Sequence, residues 1–400
     1  VAGLCSDVEK SCPSDCSGQG TCVRVDTRGS IVNNCFSSDD TCLAQCECDS
    51  GSFGKDCSMT QYRFEQYLDL REALCSSLYS SITFQDLSLD VVVSRAKTIR
   101  DVFFDINQMT DTAISNCTSA LIETINSDPD LVCQGDAVML IVDALSQVLQ
   151  LGGEISDALL SAVELALTDL SESCHKELAV GEEPLEVASD NLRLLVSVLE
   201  RDRAGNRTFQ VPQTDFDLFN DRAPSSVLIN TSNIAGSGSL GVSVYQLPSL
   251  PQSYQGNSSS VVLETVLYES IPGNSARRLQ TSGSINMDVT VFLQNTETIE
   301  YGALIPPTIV LRCFKNYQLT PYFVEAMCPN GLLVNVTCPA NSKGTHNVTC
   351  PGYSTAPQCT TWDGVDFSVD PACSVLDYTA ENTTCFCSGR KGSDRRTQAV

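Results

Sequence analysis

Histidine is almost missing from this chain: 400 residues hold only His175 and His346. So few imidazoles leave proton-shuttling catalysis and histidine-built metal centres little to draw on. Basic residues are also scarce, with 24 Lys and Arg against 49 Asp and Glu and a formal net charge of −25. A surface of that sign repels phosphate backbones, which argues against nucleic acid as a partner. It suits a soluble protein that resists non-specific association. No Gly-rich phosphate loop, H-E-x-x-H or G-x-S-x-G occurs. His175 follows Cys174 in SCHKE, which reads as a disulfide cysteine beside an exposed histidine at a helix end. Glu182-Glu183 adjoin Pro184 and read as a loop. No enzymatic activity, cofactor or metal is expected. There is no initiator methionine, no signal peptide and no apolar run long enough to span a bilayer. The expectation is a processed chain or a section of a longer one.

Cysteine, in contrast, is abundant. Twenty-one cysteines are too many for a reducing compartment unless they bind metal, and the paired short spacings of a zinc site are lacking. Seven Asn-x-Ser/Thr sequons accompany them, at Asn116, Asn206, Asn230, Asn257, Asn335, Asn347 and Asn382. Together they predict a secreted or cell-surface protein carrying N-linked glycans. A composition of 42% hydrophobic and 18% charged residues is globular, and the length suggests two or three domains.

Residues 1–58 hold nine of the cysteines and almost no apolar periodicity, so disulfides must replace a core there. The stretches CPSDCSGQGTC and CECDSGSFGKDC resemble the EGF-like module, with Gly51 and Gly54 at turn positions that want positive φ. The resemblance implies that Cys12 joins Cys22, Cys16 joins Cys46 and Cys48 joins Cys57. Cys35 and Cys42 read as an extra bridge, and Cys5 is left over for a bond outside the module. The acids of DVEKSC do not follow the order that a calcium-binding version needs.

From 59 to 205 the period is helical. Val138, Ile141, Val142, Leu145, Val148 and Leu149 form one apolar stripe, and Ile155, Leu159, Val163, Leu167 and Leu170 form the next. These stripes read as the core of a small antiparallel bundle. Cys75, Cys117, Cys133 and Cys174 pin helices in it, in pairs that spacing leaves open. From 206 to 390 the text is β-like. A buried run starts at Val261, and Ile285, Met287, Val289, Val291 and Leu293 alternate with polar residues, as in a sandwich. Arg277-Arg278 sits in a polar stretch that reads as an exposed loop. Asn335-Val336-Thr337-Cys338-Pro339 recurs as Asn347-Val348-Thr349-Cys350-Pro351. With Cys313 and Cys328 these cysteines can make two bridges across a hairpin, and glycans on both asparagines would shield an exposed edge. Residues 391–400 read as a basic tail or linker. The expected fold class is therefore α+β and multidomain.

The C-terminal stretch is the most specific. Cys359 and Trp362, then Cys373, then Asn382-Thr383-Thr384-Cys385-Phe386-Cys387 resemble the GPS motif of residues 359–390 that closes the GAIN domain of adhesion receptors and polycystin-1-like proteins. Helices followed by a β-sandwich match the order of that domain. The resemblance implies pairs Cys359–Cys385 and Cys373–Cys387, two bridges between adjacent strands that lock the last strand in place. It also implies a self-cutting turn, in which the family reads Asn-His-Leu-Thr or -Ser straight after the last cysteine. Here Ser388-Gly389-Arg390-Lys391 follows. Gly389 has no base, and Lys391 has no hydroxyl nucleophile. The expectation is an uncleaved clamp. Its host would be a non-enzymatic extracellular glycoprotein that associates with itself or another extracellular glycoprotein as a subunit of a filament, appendage or matrix. The alternative is an ectodomain segment of an adhesion receptor or polycystin-like membrane protein that binds a protein or glycan ligand.

Overall fold

The chain is a mixed helix-and-strand protein cross-linked by disulfides. The computed structural model describes residues 8–26, 31–37, 39, 42–149, 157–200, 205–230, 239–247, 261–270, 277–278, 286–295, 299, 301–303, 308–313, 321–328, 333–340, 344–350, 354–362, 367–391 and 395–399. Two compact units result, one of residues 1–297 with 359–400, the other of residues 298–358. Among the described residues no helix is long and apolar enough to cross a membrane.

The N-terminal segment is built on sulfur. Strands β1 (Gly20–Asp26) and β2 (Cys42–Cys48) pair antiparallel, and β3 (Ser52–Phe53) pairs with β4 (Met59–Thr60). Disulfides Cys12–Cys22, Cys16–Cys46, Cys35–Cys42 and Cys48–Cys57 staple these ribbons. Gly51 and Gly54 have φ of 91° and 92°, a backbone open chiefly to glycine. Phe53 stacks on Phe64 with centroids 4.8 Å apart, and Lys55 Nζ donates to the Phe104 carbonyl at 3.1 Å while lying over its ring. The segment is thus docked on the helices, not hung from them.

Thr60, Ser88 and Thr110 cap α1 (Gln61–Ser81), α2 (Leu89–Phe103) and α3 (Asp111–Ser127), each accepting a backbone N–H of the first turn. The short α4 (Pro129–Val132) leads to α5 (Ala137–Leu149) and α6 (Asp157–Glu177). The stripe from Val138 to Leu149 is buried; of the second stripe Val163, Leu167 and Leu170 are buried, Leu159 is half-buried and Ile155 lies outside the described residues. Cys75–Cys117 ties α1 to α3, and Cys133–Cys174 ties α6 to the residue after α4.

Helix ends at Glu177, short of the expected boundary near 205. Leu185–Ala188 and Arg193–Glu200 form strands β5 and β6. Seven of the next elements are β7 (Asn206–Gln210), α7 (Asp215–Phe219), β8 (Ser226–Asn230), β9 (Ser239–Leu247), β10 (Val262–Ser270), β11 (Arg277–Arg278) and β12 (Asn286–Gln294). After the second unit come β19 (Cys359–Trp362), β20 (Phe367–Val369), β21 (Cys373–Tyr378), β22 (Asn382–Lys391) and β23 (Arg395–Ala399). They make an eight-stranded antiparallel sheet in the order β20-β19-β23-β10-β9-β6-β5, with β11 on β10, and a five-stranded sheet in the order β21-β22-β12-β8-β7.

The large sheet is covered on both faces. Leu194, Val196, Tyr245 and Leu247 pack on the helices, while Leu195, Val242, Val244 and Leu263 meet Val227, Ile229 and Val291 of the small sheet. Three layers result, with the large sheet in the middle. Two-sided burial explains the misread boundary: β6 is apolar on both faces, so it shows no strand alternation.

In the second unit, β13 (Gly302–Ala303) pairs with β18 (Ser354–Thr355), β14 (Thr308–Cys313) with β17 (Gly344–Thr349), and β15 (Tyr322–Met327) with β16 (Leu333–Cys338). Cys328 bonds Cys350, and Cys338 is disulfide-bonded too. The single hairpin expected from the sequence is instead a nest of two-stranded ribbons.

Candidate functional site, the cross-linked C-terminal strands

Strand β22 lies between β21 and β12, and alternation turns Thr383, Cys385 and Cys387 inward, where all three are buried. Cys387 stands directly opposite Cys373 of β21, with Cα atoms 4.0 Å apart, so this disulfide links neighbours within one sheet. Cys359 belongs to β19 of the other sheet. Its bond to Cys385, at a Cα separation of 5.9 Å, crosses the apolar core and joins the two sheets. That corrects the expectation of two bridges between adjacent strands. Cys385 and Cys387 share a face, yet one reaches across the core and the other sideways.

A polar latch holds the other end of β22. The Asn295 backbone N–H donates to the Glu381 carbonyl at 2.7 Å, and Asn295 Nδ2 donates to the Ala380 carbonyl at 3.0 Å. Asn295 and Thr383 are both buried, so the donor side of the latch is shielded from water. Sequence reading missed Asn295; its one signal was a polar pair, Gln294-Asn295, at the end of an alternating apolar strand.

Beyond Cys387 the chain stays in the sheet. Ser388 N–H donates to the Ala372 carbonyl at 2.9 Å. Met287 faces Arg390 and Asn286 faces Lys391, with a register shift opposite Asp288 that absorbs the extra residue. The segment expected to be a linker then continues as β23, which enters the middle of the large sheet. Thr397 stands between Leu263 of β10 and Thr361 of β19, and Ala399 faces Cys359. A run this short and charged carries no strand signal of its own; its two neighbours supply the pairing.

Neither histidine lies on these strands. His346 sits in β17 opposite Leu311. His175, expected to be exposed, is buried between α6 and β9, with Nε2 2.8 Å from Ser243 Oγ. Burial pushes its pKa down from 6.5 to about 3, so it is neutral. Gly241 makes the room, since a Cβ there would lie 2.6 Å from the His175 ring.

The sulfurs of Cys12, Cys16 and Cys46 come within 4.8 Å of one another, but each is spent in a disulfide and offers no thiolate to a metal. The sequons differ in placement. Asn206, Asn335 and Asn347 are exposed; Asn230 and Asn382 are half-buried. Asn206 and Asn230 face each other across β7 and β8. Asn116 is half-buried on α3 and donates through Nδ2 to Ser76 Oγ at 3.1 Å. Asn257 and Cys5 lie outside the described residues. Arg277 and Arg278 pair with Glu269 and Tyr268 as β11, where a loop was expected. The chain matches no protein-family model and no curated protein.

Proposed function

We propose that the chain is a non-enzymatic extracellular glycoprotein in which an EGF-like staple and a GAIN-like helix-and-sandwich body present an uncleaved, load-resistant C-terminal clamp. The observation that carries this reading is the path of β22. Two disulfides fasten it within its sheet and across the core, and its backbone stays paired through Lys391. Bridges closing loops of 26 and 14 residues each stabilise by about 3 kcal/mol in the chain-entropy model. Pulling on either end therefore loads a covalently closed sandwich. The family's cutting chemistry needs a strained turn with a hydroxyl and a base. Here Gly389 and Lys391 continue a strand, and His175 is buried elsewhere. Such a body suits a subunit of a filament, appendage or matrix.

The test is the mass of the protein from its natural source after reduction and removal of N-glycans. An intact chain near 43.1 kDa that forms polymers under electron microscopy supports the assembly reading. A much larger mass moves these residues into a receptor or multidomain ectodomain. A new terminus between Arg390 and Lys391 sinks the uncleaved clamp.

A further inference from the structure

One face of the hairpin of β15 and β16 is open, and between the polar residues Asn335, Thr337 and Glu325 it carries two exposed apolar side chains. Alternation sends Tyr322, Val324, Val334, Val336 and Cys338 inward, where they cluster with Val348. The opposite face carries Phe323 and Leu333, which are 72% and 62% exposed. Asn335 sits on that same exposed face. Register places Phe323 opposite Thr337, so Asn335 is its diagonal neighbour, and Leu333 is two residues before Asn335 on the same strand. Diagonal neighbours on a sheet face lie about 7–8 Å apart, within reach of an aromatic ring and a sugar. Asn335-Val336-Thr337 is a sequon, and both Asn335 and Thr337 are exposed.

We propose that an N-linked glycan on Asn335 lies down on this face, its innermost sugars covering Phe323 and Leu333. A pyranose ring presents a face of C–H bonds to the electron-rich face of an aromatic ring. Attachment at Asn335, between Phe323 and Leu333 on that face, makes the sugar the nearest occupant for both, with no association entropy to lose. The glycan then does for this ribbon what a third layer does for the main sandwich: it removes apolar surface from water and blocks contact with another chain. This rests on the glycoprotein reading above.

Hydroxyl-radical footprinting of the full chain, secreted from a eukaryotic host and mapped by glycopeptide mass spectrometry, tests it. Phe323 and Leu333 should be oxidised several-fold more in Asn335→Gln than in the glycosylated chain. Phe219, 80% exposed and in the other unit, serves as the unchanged reference. If Asn335→Gln is not secreted, the folded glycosylated chain can be trimmed to a single sugar at each site. Protection of Phe323 should then persist in large part. Equal oxidation of Phe323 with and without the glycan overturns the inference, as does an empty Asn335 beside occupied Asn206 and Asn347. Sugar at none of the sequons instead overturns the glycoprotein reading itself.

Discussion

At the scale of single residues, the contact between α6 and β9 leaves little room for change. Tyr245 donates to the Leu167 carbonyl at 2.9 Å and shares a hydrogen bond with Ser171, while His175 meets Ser243 one layer along. The folded chain holds His175 neutral down to about pH 3, whereas an unfolded chain takes up that proton near 6.5. Stability from this residue is therefore complete above pH 6.5 and is lost as pH falls toward 3, at up to about 1.4 kcal/mol per pH unit. Guanidinium unfolding at pH 7 and pH 5 should show that loss in the wild type and a shallower one in His175→Asn. An identical pH dependence in both would remove His175 as the cause. Gly241→Ala should cost roughly 1–3 kcal/mol at neutral pH, because its methyl meets the imidazole ring and not a flexible chain end. The Arg193–Asp217 ion pair, 2.8 Å long and buried on both sides, is equally unforgiving. Asp217→Ala leaves a buried guanidinium and should cost about 3–5 kcal/mol by thermal or denaturant unfolding.

At the scale of elements, helices differ in what holds them. The α5 helix buries most of its side chains, whereas α1 fully buries only Cys75. Cys75–Cys117 closes a loop of 42 residues and is worth about 4 kcal/mol in the chain-entropy model. A Cys75→Ala, Cys117→Ala chain should lose about that much stability, with amide exchange rising first in α1; uniform loosening of all helices would refute this division. The same contrast explains what could be read from sequence. The stripes of α5 and α6 and the alternation of Val289, Val291 and Leu293 were legible because their apolar residues recur at the period of a helix or of a strand. Strand β6 was not legible, since helices cover one of its faces and the small sheet the other. The cysteines of the C-terminal site were visible as residues. Their sheet membership was not, because a spacing of 26 residues says nothing about whether a bridge runs along a sheet or through a core.

At the scale of the whole molecule, β23 decides how the sandwich closes. It is an inner strand of the large sheet, pairing with β10 on one side and β19 on the other. Without it, β10 and β19 would each present an unpaired edge, and the pair β19–β20 would be held chiefly by the Cys359–Cys385 bridge. A chain ending at Lys391 should therefore keep its helical layer and the β6–β9–β10 pairing yet lose amide protection on the β23-facing side of β10 from Leu263 to Thr265 and of β19 from Cys359 to Thr361. Two open edges invite strand addition from another copy, so light scattering should show concentration-dependent association. Adding reductant should then free β19 and worsen both effects, whereas the same reductant acting on the full chain leaves β19 paired with β23. If the shortened chain instead stays monomeric with unchanged protection at those amides, β23 is a strap lying along the sheet and carries no load. The sandwich would then be closed by its disulfides alone.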